Sequence, residues 1–186
     1  MACDFITKGK KATACMDSVG GVKNYYFALW GDYGITVSAG EVSSLGSLAQ
    51  VFKYEVTGNA NSLTETLNPS MENMTAFVTQ VTSATIQGLN KDLQFQLSLL
   101  AKSRTLVFIE DYNGNIKLMG FTNGAYGSAG TAVTGGAKGD LSGYTIELTA
   151  EEKGFAPFLA SGAKTALYAA IGGIPMLEWQ TDGNVP

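Results

Sequence analysis

Few residues of this chain could carry acid–base or nucleophilic chemistry, and their spacing limits what they could do. Among the 186 residues there is no histidine, which removes Ser–His and Cys–His activation and the commonest general base. Two carboxylate pairs remain, Glu110-Asp111 and Glu151-Glu152. Both stand in segments with strand-like alternation, where adjacent side chains point to opposite faces. Neither pair converges on one substrate, and solvated strand ends account for both. No catalytic residue is assigned and an enzyme is not expected.

Three short motifs invite a functional reading and fall short of it. "DYNGN" (Asp111 to Asn115) resembles the start of a calcium loop. Its glycine stands at the fourth position instead of the sixth, and Thr122 stands where the bidentate glutamate belongs. A hairpin turn explains the stretch better. "GGAKGD" (Gly135 to Asp140) sets glycines beside a lysine but lacks the spacing of a phosphate-binding loop and its Ser or Thr after Lys. It is expected to be a flexible or bulged connection. "NMT" at Asn73 matches a glycosylation sequon, which matters only in a secreted protein. Cys3 and Cys15 lack zinc-site spacing and have no histidine to complete one. Two free thiols in a reduced cytosol are expected, with a disulfide closing an N-terminal loop as the alternative. No metal and no cofactor follow from these residues.

The formal net charge is −4 and the isoelectric point about 4.8, so the whole chain offers no basic footprint for nucleic acid. The most apolar stretch, "ALYAAIGGIPMLEW", is too short to span a bilayer and holds two glycines and a proline; no membrane partner is expected. The opening "MACDFITKGKK" lacks the apolar centre of a signal peptide, which predicts cytoplasmic synthesis. Charged residues make up only 15%, against about a quarter in ordinary soluble domains. Either much of the surface is covered by other subunits, or Gly, Ser and Thr keep it polar without charge.

The elements that must position these residues are mostly strands. An irregular arm ends at "SVGG", and "VKNYYFALW" (Val22 to Trp30) reads as a strand. "GDYG" is expected to turn it into a hairpin with "ITVSAG". "AQVFKYEVTG" alternates, "SLTETL" is a short strand stopped at Asn68-Pro69, and "MTAFVTQVTSATIQG" is long and β-branched. "LNKDLQFQLSLLAKS" places Leu89, Leu93, Leu97, Leu100 and Ala101 on one helical face, with Asn90 as N-cap and Lys102 and Arg104 at the C-terminus. It is predicted as the one helix. "TLVFIEDYNGNIKLMGF" is two strands joined at Asn113-Gly114. In "GYTIELTAEE", Tyr144, Ile146 and Leu148 alternate with Thr145, Glu147 and Thr149 as in a half-buried antiparallel strand.

From Arg104 to Leu159, "VFIEDYNGNIKLMGFTNGA", "SAGTAVTGGAKGDLSGYTIELTAEE" and "APFL" resemble virion structural proteins of tailed phages, especially phages of Bacteroidota bacteria. The opening "ACDFITKG" resembles the start of those proteins as well. They are similar in kind to tail tube proteins. The resemblance covers about two-thirds of the chain and leaves the stretch after Leu159 without a counterpart.

The resemblance implies an antiparallel β-sandwich or half-barrel with a flanking helix; the patterning of the chain divides it into an N-terminal arm (1–20), a domain (21–159) and a C-terminal extension (160–186). The resemblance also implies a structural protein of the virion that joins sheets with copies of itself in stacked rings, contacts other virion proteins and lets DNA pass as cargo. Glu147, Glu151 and Glu152 are the candidates for lumen or interface, and the arm and extension are expected to reach onto adjacent subunits. A capsid decoration or head–tail joining protein is the alternative. A carbohydrate-binding sandwich using Tyr25, Tyr26, Trp30 or Trp179 is a third reading, from another class.

Overall fold

The computed structural model of the chain describes residues 8–12, 16–58 and 60–171. Its organising strand is β10 (Gly143–Glu152), where Tyr144, Ile146 and Leu148 are buried and Thr145, Glu147 and Thr149 are only partly covered. The alternation predicted for this strand is present from Tyr144 to Glu152. β10 lies inside a four-stranded antiparallel sheet with β5 (Ser62–Ser70), β6 (Thr75–Gln87) and β9 (Tyr126–Val133), in the order β5-β6-β10-β9.

A second sheet of seven strands packs against it. Its order is β2 (Thr36–Ser38), β3 (Glu41–Ser44), β11 (Phe158–Leu159), β8 (Ile116–Met119), β7 (Thr105–Asp111), β1 (Val22–Leu29), β4 (Phe52–Glu55). The expectation of an antiparallel sandwich is met in the smaller sheet only, because β11 pairs with β3 in parallel and makes the larger sheet mixed. Neither sheet closes into a barrel.

The central strands β1 and β7 of the larger sheet are buried on both faces. Toward the smaller sheet, Tyr25, Phe27, Val107 and Ile109 meet Ala84, Ile146 and Leu148. On its far face, Tyr26, Leu106, Phe108 and Leu118 are covered by Val42, Leu45 and Val51 and by Ala163 and Leu167. This explains why β1 and β7 read as near-continuous apolar runs; a strand covered on both sides needs no polar face.

Asn90 caps α1 (Lys91–Lys102) as predicted, its side chain accepting a hydrogen bond from the Asp92 N–H at 2.8 Å. Leu97 is buried in the core between the sheets, with Leu93 and Leu100 packed beside it, whereas Leu89 is exposed. The predicted hairpin at Asn113-Gly114 joins β7 to β8, with Gly114 at φ +77°.

Four expectations are corrected. Among the described residues there are two helices, not one: α2 (Ser161–Ile171) follows β11 directly. Burying Leu167 on it contributes about 1.5–3 kcal/mol, so residues 161–171 of the expected extension dock on their own subunit. Residues 172–186 of that extension lie outside the described residues. "VKNYYFALW" and "ITVSAG" do not form a hairpin either: β1 pairs with β4 and β7, and β2 pairs with β3. The reason is that β1 is apolar on both faces and needs a central place, while β2 is exposed throughout. Last, β5 runs through Pro69 to Ser70. Proline lacks a ladder donor, and β5 is an edge strand, where that loss is tolerated.

The loop between β3 and β4 is held against the second core at Gly46, which has φ +59°. A Cβ there would stand 1.8 Å from the Tyr33 carbonyl oxygen, which accepts the Ser47 N–H at 2.8 Å. Only glycine fits so close an approach.

Candidate functional site

The smaller sheet has one face turned away from the core between the sheets. The strand registers bring Ser62, Thr64, Thr66 and Asn68 of β5 alongside Thr79, Val81, Ser83 and Thr85 of β6. Thr145, Glu147, Thr149 and Glu151 of β10 continue the same face, Thr131 and Ala129 of β9 extend it, and by register the exposed Phe77, Tyr126 and Val133 stand at its margins. Cross-strand hydrogen bonds run over it: Asn68 Nδ2 to Thr79 Oγ1 at 2.8 Å, and Thr85 to Thr145 between hydroxyls at 3.4 Å. No lysine or arginine stands among these positions. The middle of the face is a field of hydroxyls carrying two carboxylates.

The three glutamates proposed as lumen or interface residues separate accordingly. Glu147 lies on this face, with the Ser128 hydroxyl 3.2 Å from its carboxylate. Glu151 is exposed on the same face at the strand end. Glu152 is turned inward and only 6% exposed. Its Oε1 accepts the N–H groups of Thr122 (2.8 Å) and Asn123 (2.7 Å), so it holds the turn after β8 and faces neither solvent nor a neighbour. This is a correction: period two puts consecutive residues on opposite sides, so Glu151 and Glu152 could not both be outward.

The hydroxyl face ends in two unpaired strand edges. Every residue of β9 is exposed, and β5 forms the other edge. Between them, the β5–β6 hairpin projects past the end of β10, whose last residue pairs with Val78. Leu67, Met71, Met74 and Phe77 are exposed on this projection, the two methionines at 83% each. Asn68-Pro69 reads as a strand end and hides this projection; the repeated apolar residues of "LNPSMENMTAF" are the available signal.

A second polar constellation lies under α2. The Glu110 carboxylate accepts Tyr26 Oη–H at 2.5 Å and Asn24 Nδ2–H at 2.7 Å on one oxygen, and Tyr168 Oη–H at 3.4 Å on the other. Burial works to raise its pKa, but these donors and the Lys23 charge outweigh it and hold the carboxyl below the usual range. Burial, with Glu110 alongside, pushes the Tyr26 phenol well up. A cavity of about 510 Å³ opens beside the group, with Lys23 and Lys53 at its rim. Asp111, next in the chain, points to the other face, and its carboxylate is occupied by Asn113 and Asn115 within the turn. That turn geometry agrees with a hairpin reading of "DYNGN". Asp140 likewise accepts the Gly136 and Ala137 N–H groups, closing the "GGAKGD" loop.

Among the described residues no group of three or more Cys, Asp or Glu is arranged to hold a metal ion, and no helix is long and apolar enough to cross a membrane. Cys3, Cys15 and Trp179 lie outside the described residues. Tyr25 and Tyr26 are fully buried in the two cores and offer no platform to a sugar ring. Trp30 is stacked by the Arg104 guanidinium 3.4 Å from its ring centre. No protein-family model, no curated protein and no solved structure matches the chain.

Proposed function

We propose that the chain is a structural virion protein whose copies assemble into stacked rings of a phage tail tube, with the hydroxyl face of the smaller sheet lining the channel for DNA. The observation that carries this reading is the absence of any cation from that face. Proteins grip DNA by neutralising phosphates with Lys and Arg. A conduit must do the opposite, and hydroxyls with two carboxylates per copy hydrate the passage while repelling the polyanion. The unpaired edges of β5 and β9 support self-assembly, since open edges are a hazard that closure with like copies removes. The apolar hairpin tip suits a contact along the stack, where its methionines leave water.

Negative-stain microscopy of the purified protein tests the proposal. Rings or tubes are the expected result. Single particles that attach as knobs to capsids would point to decoration instead, and particles seen only at the head–tail junction would point to a joining role. Monomers at every concentration would end the tube reading.

A further inference from the structure

We propose that Lys53 and Asn24 become joined by an isopeptide bond, formed by the chain on itself with release of ammonia, in the polar cluster beneath α2. The inference is independent of the assembly reading above.

Strand register puts the reacting groups side by side. Asn24 of the central strand β1 lies directly across from Glu55 of β4 on one side and from Glu110 of β7 on the other. Tyr26, two residues further along β1, lies across from Lys53. Residues opposite one another in an antiparallel pair share a face, so all of these project to the side where Tyr26 packs under α2. Lys53 is diagonal to Asn24, a separation that a long side chain bridges. Its ammonium is turned that way, with Nζ 2.5 Å from Oε1 of Glu55, the residue opposite Asn24. Lys53, Asn24 and Glu110 line the same cavity of about 510 Å³.

The chemistry follows from the atom that each carboxylate holds. Glu55 takes a proton from the Lys53 ammonium, and the freed amine adds to Cγ of Asn24. Glu110, whose Oε2 already accepts the Asn24 Nδ2–H at 2.7 Å, carries a proton from the adding nitrogen to Nδ2. The Cγ–Nδ2 bond then breaks, and the departing ammonia takes up the proton held by Glu55 and leaves as ammonium. One C–N bond replaces another, both carboxylates are regenerated, and no oxidant or further reactant is consumed. Asn24 and Glu110 are 5% and 7% exposed, so the intermediate is shielded from water. The sheet holds amine and amide as an intramolecular pair, which removes the entropic cost of bringing them together.

The bond closes a loop of residues 24–53, which contains β2, β3 and the turn at Gly46. It ties the edge strand β4, only four residues long, to the centre of the larger sheet. Like a disulfide, it restricts the unfolded chain.

Intact-mass measurement and peptide mapping of the purified full chain test the proposal. The chain is expected to be lighter than its sequence by one ammonia. Trypsin acting on the denatured protein is expected to release residues 24–91 as one piece, because an acylated Lys53 no longer directs cleavage. Lys53→Arg, at a partly exposed edge position, keeps the charge and the fold and is expected to restore the full mass. Glu110→Gln is expected to leave Lys53 free and cleavable. Complete cleavage after Lys53 in the natural protein would overturn the bond. So would a loss of ammonia that persists in Lys53→Arg, since it would come from another amide, such as that of Asn113 before Gly114. A bond formed in full by Glu110→Gln would overturn the part given to Glu110.

Discussion

Lys117 Nζ of β8 lies 2.5 Å from Glu65 Oε2 of β5, so one ion pair ties the larger sheet to the outer strand of the smaller one. The other carboxylate oxygen of Glu65 accepts the Ala156 N–H at 2.6 Å, which adds the segment leading into β11. Glu65 is nearly buried and Lys117 partly open to water. Removing the acid strands a backbone N–H and a half-covered ammonium. Glu65→Ala is expected to cost about 1–3 kcal/mol, reduced from the fully buried case by the exposure of Lys117. Glu65→Gln, which can still accept the Ala156 N–H, is expected to cost less. Urea unfolding of the two variants decides it; equal losses would mean that the Ala156 bond contributes nothing.

Glu110 makes stability depend on acid. Its folded pKa is lowered, so the unfolded chain binds a proton more readily, and the stabilisation it provides is present above the ordinary carboxylate pKa. That stabilisation is lost as pH falls through the folded value. Glu110→Gln is expected to be less stable than the natural protein at pH 7 by about 1–3 kcal/mol, with the gap narrowing as pH drops below about 4. Unfolding midpoints from pH 7 to pH 3 measure this. A gap that is constant across the range would show that the charge of Glu110 is not what Tyr26, Asn24 and Tyr168 recognise.

Three neighbouring glutamates are expected to differ in kind. Glu152→Ala leaves the Thr122 and Asn123 N–H groups unpaired and should cost about 1–3 kcal/mol. Glu147→Gln and Glu151→Gln, on the open face, should stay within about 0.5 kcal/mol of the natural protein. Thermal unfolding of the three variants is the check, and a large loss at Glu147 would mean that the open face is an internal support.

If the hydroxyl face lines a DNA passage, reversing its charge should make it adhesive. Particles of Glu147→Lys with Glu151→Lys are expected to retain DNA at low salt and release it as salt rises, because each lysine displaces counterions from the phosphates. Natural particles should retain none. Retention by neither, with assembly intact, would move the passage away from this face.

The apolar hairpin tip should matter to assembly and not to the subunit. Met71→Asp with Met74→Asp is expected to leave the unfolding midpoint unchanged, since both side chains are exposed, while reducing the length of any polymers seen by microscopy. Full-length polymers would remove the tip from the contact.

Where the physics is local, the sequence is legible. Asn90 followed by a helical apolar face specifies α1, and Asn113-Gly114 between apolar runs specifies the β7–β8 hairpin, because capping and turn geometry depend on a few adjacent residues. The same rule hides β11 and α2. "SGAKTALYAAI" has only a weak apolar stripe, and what makes it a helix is the waiting face of Phe108, Leu118 and Val42, residues far away in the chain. Pro69 misleads for a related reason. A proline excludes a central strand, and whether β5 is central or an edge is a property of the whole sheet.

By itself the sequence determined which side of β10 is apolar, since alternation is built into the chain and needs no partner to express it. It likewise determined the lack of histidine and the scarcity of charge. Only the tertiary structure decided that β1 lies between β4 and β7 and that Glu110 is enclosed by Tyr26 and Tyr168. These outcomes depend on which distant segments pack together. Many pairings satisfy the same local pattern, and the one that buries both apolar faces of the central strands while satisfying their polar groups is selected over the chain as a whole.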